Sequence, residues 1–467
     1  MAVITILSRI DCTPAVQEFI DSVMDGAEID ALRQAHIATS VEEIFVNIAN
    51  YSYSPGEGTV TIIAEAKQDR FVVQFHDSGK PFNPLDMEDP DVSLPADKRQ
   101  PGGLGIFMVK QMMDGVEYRR AEGKNILTLV KLTGDAMMEK GGMPLLQVQD
   151  ISLNFKIEKT EINVLENVSF NIQEGQIVGL VGESGCGKSV TSLAIMRLLP
   201  QNAMVPLGQI ILNGEDLLKK TNKEMVSYRG KTVAMIFQEP MTSLNPVYSI
   251  ESQLTEMFAL HTDMTKKEAF RAALKSLEDV AIPSPEKVMK QYPHELSGGM
   301  RQRVMIAMAM SLNPKVLIAD EPTTALDVTT QAQILQLLCD LRDRHKTSIL
   351  LITHDLGVVA EVCDHVIVMY AGHIVEEGSV FDIFENPSHP YTLGLLKSLP
   401  ELNEKESRLY NIKGSVPSPS DFSKGCRFAP RCNHAVSECE AEVPSFAEIG
   451  AGHKARCRRL GANADGR

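Results

Sequence analysis

The chain has 467 residues, of which 43% are hydrophobic and 23% charged, with 32 Gly and 24 Pro; this suits a folded chain of several globular domains and excludes disordered and fibrous classes. Its 61 Asp and Glu outnumber 46 Lys and Arg, for a net charge of −15, which works against attraction to nucleic acid or anionic lipid. No apolar run approaches the ~20 residues that cross a bilayer, and Met1 to Ser40 lacks the basic start, apolar core and cleavage site of a secretory leader, so the expected location is the cytoplasm.

Residues 1–140 read as a first domain. A helical region ends in VEEIFVNIANY, and the strand runs TVTIIAEA, RFVVQFHD and NILTLVKL follow, an order that predicts a helix layer on an antiparallel or mixed sheet. Glu43, Asn47 and Asn50 stand at i, i+4 and i+7, so three polar side chains share one helix face. Farther on come Asp77 and Gly79 in HDSGKPFNP, then Gly102, Gly103 and Gly105 in PGGLGIFMVK.

Taken in that order, these segments resemble the N, G1 and G2 boxes of the GHKL ATPase fold, specifically the anti-sigma-factor type of serine kinase. The resemblance implies Asn47 as a Mg²⁺ ligand, Glu43 as general base, Asp77 as hydrogen-bond acceptor for adenine, Gly102 to Gly105 as a phosphate lid and Thr128 beside adenine. The residue types suit those tasks, since a hard cation takes oxygen donors and a hydroxyl nucleophile needs a carboxylate nearby. Two departures stand out: Asn50 occupies a position where His is also common, and the Asp77 box lacks a second glycine. The implied partner is a small antagonist protein carrying the acceptor serine.

A Gly-rich break, TGDAMMEKGGMP, leads into a second patterned region over 143–400 that looks like the start of a fused protein. Short β-branched runs alternate with longer helical patterns there, predicting an α/β fold with a largely parallel sheet. After the strand IVGLV, Gly182 to Ser189 read GESGCGKS ahead of a helical run, the context of a phosphate-binding loop. Gly182, Gly185 and Gly187 let backbone N–H groups approach phosphate, Lys188 supplies a point charge, and the Ser189 hydroxyl suits a Mg²⁺ shell. Cys186 lies inside this loop, where a helix N-terminus and Lys188 are expected to lower its thiol pKa. Downstream, KVLIADE ends a strand in Asp320, suited to the metal's water, and Glu321, suited to activating the attacking water.

Between the two lies LSGGMRQR, with Ser297, Gly298 and Gly299 opening a helix. Together these segments resemble an ABC-type ATPase, a P-loop fold with a helical subdomain. The family sandwiches ATP between one subunit's phosphate loop and the LSGG of another. The resemblance further implies Gln238 in IFQEP as the residue that senses Mg²⁺ and couples to a partner, Asp327 in TTALD at the nucleotide interface, and His354 in LLITHD on the γ-phosphate. Phe155 fits the adenine-stacking position only with an insertion and equally suits a core position.

The region 401–467 begins polar and ends in Cys426, Cys432, Cys439 and Cys457. With NPSHPYTLGLLKSLP before it, GCRFAPRCNHAVSEC is similar to the tail of ATPase subunits in oligopeptide, dipeptide and nickel importers. Those work as two membrane permeases, two ATPase subunits and an external solute-binding protein, with the ATPases peripheral on the cytoplasmic side of the plasma membrane. One ABC domain per chain implies pairing with a second copy or a sister subunit. The four cysteines lack the spacing of common zinc hairpins; the resemblance favours a 4Fe-4S iron–sulfur cluster, with zinc as the alternative. The expected activity is ATP hydrolysis for uptake of peptides or similar solutes, with a nucleotide-binding first domain that is a candidate serine kinase. The alternatives are a regulatory serine kinase with an ABC sensor half and a soluble ABC ATPase outside transport.

Overall fold

A computed structural model describes residues 2–25, 27, 29, 31–53, 56, 58–67, 70–86, 104–121, 123–132, 143–239, 243–324, 326–399, 411–450 and 452–461. The chain divides into two compact units, Met1–Gly142 and Met143–Arg467.

In the first unit, strands β1 (Ala2–Leu7), β2 (Thr59–Ala66), β3 (Arg70–Asp77), β4 (Gly115–Ala121) and β5 (Lys124–Leu132) form one sheet in the order β1-β2-β3-β5-β4. Every pairing is antiparallel. Along β3, Phe71, Val73, Phe75 and Asp77 are buried while Val72, Gln74 and His76 are only half-buried, the alternation of a sheet with one face on a core. Helices Thr13–Met24, Ala31–Asn47 and Leu104–Met112 accompany it. The second buries Ile37, Val41, Ile44 and Phe45, a stripe at helical spacing that joins the β3 aromatics in one apolar cluster. This is the helix layer on an antiparallel sheet that the strand runs imply.

The second unit has two sheets. Strands β6 (Leu146–Ile157), β7 (Thr160–Ile172), β9 (Ala203–Leu212) and β10 (Glu215–Asp216) make an antiparallel sheet in the order β10-β9-β6-β7. The larger sheet runs β11-β12-β13-β8-β14-β15-β17-β16, where β8 is Ile177–Val181, β11 Val233–Ile236, β12 Val316–Asp320, β13 Ser348–Thr353, β14 His365–Tyr370, β15 His373–Ser379, β16 Ala447–Gly450 and β17 His453–Ala455. Its first five strands pair in parallel. β8, β11, β12 and β13 are buried along their whole length, as parallel strands covered on both faces must be. Because β8 lies beside β13, with β12 next, the carboxyl ends of these three strands fall side by side, where open α/β sheets form their ligand crevices.

A helical subdomain of Ile250–His261, Lys266–Asp279 and Pro285–Met289 precedes the helix Gly298–Met310. Its helices start where the sequence caps them: the Ser249 hydroxyl accepts from the Ser252 N–H, and Thr265 and Glu268 form a reciprocal capping box. Toward the end of the chain, β17 pairs with β15 and carries β16 on its other edge.

Candidate nucleotide sites

The phosphate loop follows β8. A Cβ on Gly182 would lie 2.2 Å from the Met369 carbonyl oxygen, so only glycine fits that close approach. Gly187 caps the helix Lys188–Ile195 at φ 111°. Lys188 is buried, and its Nζ donates to the carbonyls of Gly182 (2.6 Å) and Glu183 (3.1 Å), which holds the ammonium inside the loop. The Ser189 hydroxyl donates to Asp320 Oδ1 at 3.2 Å. Burial pushes the Asp320 carboxyl up, the Ser189 hydrogen bond opposing it. A desolvated carboxylate beside a hydroxyl, at the end of a strand, fits a hard divalent cation, whose charge would relieve the cost of burial.

Glu321, one residue past β12, is the hub of the site. Its Oε2 accepts from Gln238 Nε2 (2.9 Å) and from the Thr324 hydroxyl (2.9 Å), and its Oε1 lies 3.2 Å from His354 Nδ1. Its φ is 47°, a left-handed conformation costing a non-glycine residue about 1 kcal/mol or more, and its N–H is held by the Ile352 carbonyl at 2.8 Å. Burial pushes the Glu321 carboxyl up, but the hydrogen bonds of Thr324 and His354 outweigh it and hold the pKa below the ordinary value. The group is thus an anion able to orient water and accept a hydrogen bond from it. Gln238, Asp320, Glu321 and His354 are therefore brought together with Lys188 and Ser189, from four separate strand ends.

Ser297 caps the helix Gly298–Met310 by accepting from the Met300 N–H at 3.3 Å. Asp327 likewise caps Val328–His345, accepting from both the N–H and the hydroxyl of Thr330. A Cβ on Gly299 would lie 3.1 Å from Thr330 Cγ2, whereas one on Gly298 meets nothing. Phe155 is half-buried against the apolar cluster that includes Leu153 and Leu165. Cys186 overturns its expectation: it is fully buried, and desolvation pushes its thiol pKa up despite the charge of Lys188.

In the first unit, Glu43 and Asn47 lie on Ala31–Asn47, and a Cβ on Gly105 would fall 2.2 Å from Glu43 Oε2 and 3.8 Å from Asn47 Nδ2. Three of the expected residues thus meet. Gly102 and Gly103 lie outside the described residues. Asp77 is buried at the end of β3, its Oδ1 accepting from the Gly79 N–H (2.9 Å) and from Asn125 Nδ2 (3.0 Å); a Cβ on Gly79 would strike the Ser52 carbonyl oxygen at 2.5 Å. Thr128 is not beside Asp77. It pairs with Gln74 across β3 and β5 and accepts from the Gln74 amide at 3.3 Å, on the sheet face opposite Phe75 and Asp77. The register instead places Asn125 opposite Asp77. Period-two alternation puts Thr128 and Asn125 on opposite faces, and fixing the register would have found Asn125.

Three protein families match the chain: an ABC transporter family over residues 165–324, the oligopeptide/dipeptide transporter C-terminal region over 375–439, and a histidine kinase-like ATPase domain over 7–131. Among curated relatives, the probable peptide ABC transporter ATP-binding protein y4tR of Sinorhizobium fredii is 50% identical over 317 residues, which cover 68% of this chain and 95% of the relative. The oligopeptide transport ATP-binding protein AppD of Bacillus subtilis is 52% identical over 67% of this chain and 96% of its own. The dipeptide transport ATP-binding protein DppD of Haemophilus influenzae is 48% identical over 68% and 95%. The chain belongs to the ATP-binding proteins of oligopeptide/dipeptide-type ABC transporters. It carries in addition an amino-terminal unit with the histidine kinase-like ATPase fold.

In this ABC ATPase, no finding supports the metal centre expected at the cysteine-rich tail. Among the described residues, no group of three or more His, Cys, Asp or Glu stands close enough to hold a metal ion. Cys426, Cys432, Cys439 and Cys457 are all free and partly exposed, and burial raises the pKa of Cys426, Cys432 and Cys457, with neighbouring thiols adding to the effect. The backbone draws two of the four together, the Cys426 N–H donating to the Cys439 carbonyl at 2.7 Å. What the tail does supply is Arg431, whose side chain reaches Glu183 of the phosphate loop and which no loop motif announces.

Proposed function

We propose that this ABC ATPase hydrolyses MgATP to drive uptake of peptides or similar small solutes through two partner membrane permeases. The observation that carries the reading is the Glu321 carboxylate, held by Gln238, Thr324 and His354 at the mouth of the Lys188 loop. The names of the relatives supply the substrate class. Two ATPase subunits work together, a second copy or a sister chain providing the LSGG surface; the open space at Gly298 suits an incoming nucleotide. An external solute-binding protein delivers the solute, and the chain sits on the cytoplasmic face of the membrane. None of its described helices is long and apolar enough to cross one.

In this mechanism Lys188 leaves the Gly182 and Glu183 carbonyls for the β- and γ-phosphate oxygens, and Gly182, Gly185 and Gly187 open the backbone N–H groups to them. Ser189, Asp320 and Gln238 would hold Mg²⁺, which when bound neutralises charge on the phosphates. Glu321 orients the attacking water and takes its proton, His354 contacts the γ-phosphate, and Ser297, Gly298 and Gly299 of the opposite subunit close over it, with Asp327 at that interface. Phe155 offers its ring to adenine.

The first unit, on this reading, binds a second nucleotide and transfers phosphate to a serine of a small antagonist protein like those of anti-sigma systems. The meeting of Glu43, Asn47 and Gly105 supports it, with Glu43 as base, Asn47 on Mg²⁺, Asp77 and Gly79 at adenine and the Gly102 and Gly103 segment as lid. Uptake of labelled peptide by cells expressing the permeases tests the transport reading. Glu321→Gln should abolish uptake while the chain still cofractionates with permeases; uptake unaffected by this substitution contradicts it.

A further inference from the structure

The second residue of the phosphate loop, Glu183, is gripped from outside the loop. Its side chain receives a two-point hydrogen-bonded ion pair from Arg431, with Nη1 to Oε2 at 2.5 Å and Nη2 to Oε1 at 3.0 Å. Its N–H donates to the Tyr391 hydroxyl at 2.8 Å. Its carbonyl takes Lys188 Nζ. Its carbonyl also accepts from the Cys186 N–H at 3.3 Å, so every polar group of this residue is fixed, and two of its four partner residues come from beyond residue 390.

Arg431 is built to hold that geometry. It ends the turn Ala429–Arg431, and its side chain is 7% exposed. Its guanidinium lies over the rings of Tyr370 and Phe428. Its Nε donates to the Lys413 carbonyl at 2.9 Å and its Nη2 to the Gly414 carbonyl at 3.2 Å. A planar donor fork locked on one edge presents the other edge to a carboxylate in one orientation.

Four residues earlier, Arg427 holds a segment that in turn touches the loop. It donates from Nη1 to the Ala371 carbonyl at 2.5 Å and from Nη2 to Asn163 and to Glu166. The adjoining Gly372 N–H donates to the Cys186 carbonyl at 2.7 Å. Both arginines lie in the one short segment between Cys426 and Cys432; Arg431 holds the loop directly at Glu183, and Arg427 holds Ala371, next to the Gly372 N–H that reaches Cys186. Electrostatics adds a second demand. An unpaired carboxylate on Glu183 would repel the polyphosphate that the loop receives, and pairing with a guanidinium removes most of that repulsion.

We propose that Arg431 is a positioning residue for MgATP, acting through Glu183 to hold the phosphate loop in its nucleotide-receiving form and to cancel the Glu183 charge. The tail thereby becomes part of the nucleotide site. This rests on the reading of Gly182 to Ser189 as that site.

The test is steady-state MgATP hydrolysis by the full chain with Arg431→Gln, Arg431→Lys, Glu183→Gln and the double variant Glu183→Gln/Arg431→Gln, beside Lys188→Ala. Arg431→Gln should raise KM for MgATP about tenfold, the loss expected of a charged hydrogen-bonded pair, with kcat reduced less than about threefold. Arg431→Lys, which keeps the charge but not the fork, should recover part of the loss. Glu183→Gln removes the repulsion together with the pair, so its KM should rise less than that of Arg431→Gln, and the double variant should match Glu183→Gln rather than add to Arg431→Gln. An unchanged KM in Arg431→Gln, or effects that sum in the double variant, would overturn the proposal. If Arg431→Gln fails to fold, the same KM comparison for Arg431→Lys decides, with an unchanged value counting against the proposal. Lys188→Ala separates the two readings: retained hydrolysis there would refute the site itself, whereas loss there with unaltered Arg431 variants would refute only the role of the tail.

Discussion

The two units place comparable chemistry on different kinds of scaffold. In the ABC unit, Lys188, Ser189, Asp320, Glu321, Gln238 and His354 come from the ends of parallel strands or from the loop or helix start just past them, so the sheet order alone brings them together. In the first unit, Glu43 and Asn47 come from a helix, Gly105 from the start of another and Asp77 from a strand end. Their meeting depends on helix phase and strand register, which one-residue slips destroy. The lesson is that motifs at the ends of parallel strands predict their own geometry, whereas motifs spread over a helix layer and an antiparallel sheet do not.

The sharpest way to break that contrast is at Glu321. Glu321→Gln should lower steady-state ATP hydrolysis by about 100-fold or more, the scale of general-base catalysis, while equilibrium MgATP binding persists. Hydrolysis that survives would move the activity to the first unit and reverse the assignment. Within the first unit, two variants at the β3–β5 register should part company in a Lys188→Ala background, read by nucleotide-binding titration. Asn125→Ala should weaken binding about tenfold by loosening Asp77, and Thr128→Val should change it by less than about twofold. The opposite ranking would restore Thr128 to the adenine side.

Legibility followed the same division. GESGCGKS, KVLIADE and LSGGMRQR each fold as one strand end or helix start, so a contiguous string carries the geometry, and Ser297 and Asp327 cap helices as their positions suggest. At Cys186 the neighbours in sequence, Lys188 and a helix N-terminus, favour a low pKa, while burial, invisible locally, decides the sign. Thr128 faces Gln74 while Asn125 faces Asp77, a β3–β5 register that no local motif carries. Arg431 and Tyr391 lie more than 200 positions from Glu183, and no periodicity links residues that far apart.

A smaller effect tests the packing of the ABC unit. His389 is buried, its Nδ1 accepts the Tyr391 N–H at 3.1 Å, and burial lowers its pKa to about 4 from an ordinary 6.5. A depressed histidine pKa means that the unfolded chain binds the proton first, so stability is full above about pH 6.5 and falls as the pH drops towards 4. The slope from this one group is at most about 1.4 kcal/mol per pH unit. Denaturant titrations of His389→Asn, which keeps an acceptor for Tyr391, should show a shallower acid loss than the parent; an identical slope would remove His389 from the account. Smallest of all, Ser297→Ala should cost about 1 kcal/mol through the lost helix cap, read as a shift of the denaturant midpoint, beyond any effect on the nucleotide interface.

The most direct measurement is the number of MgATP bound per chain, by titration calorimetry, in Glu321→Gln and in Glu321→Gln/Lys188→Ala. The account predicts two sites in the first and one in the second. Equal counts in the two would contradict the Lys188 loop as a nucleotide site, and a fall from one to none would contradict nucleotide binding by the first unit.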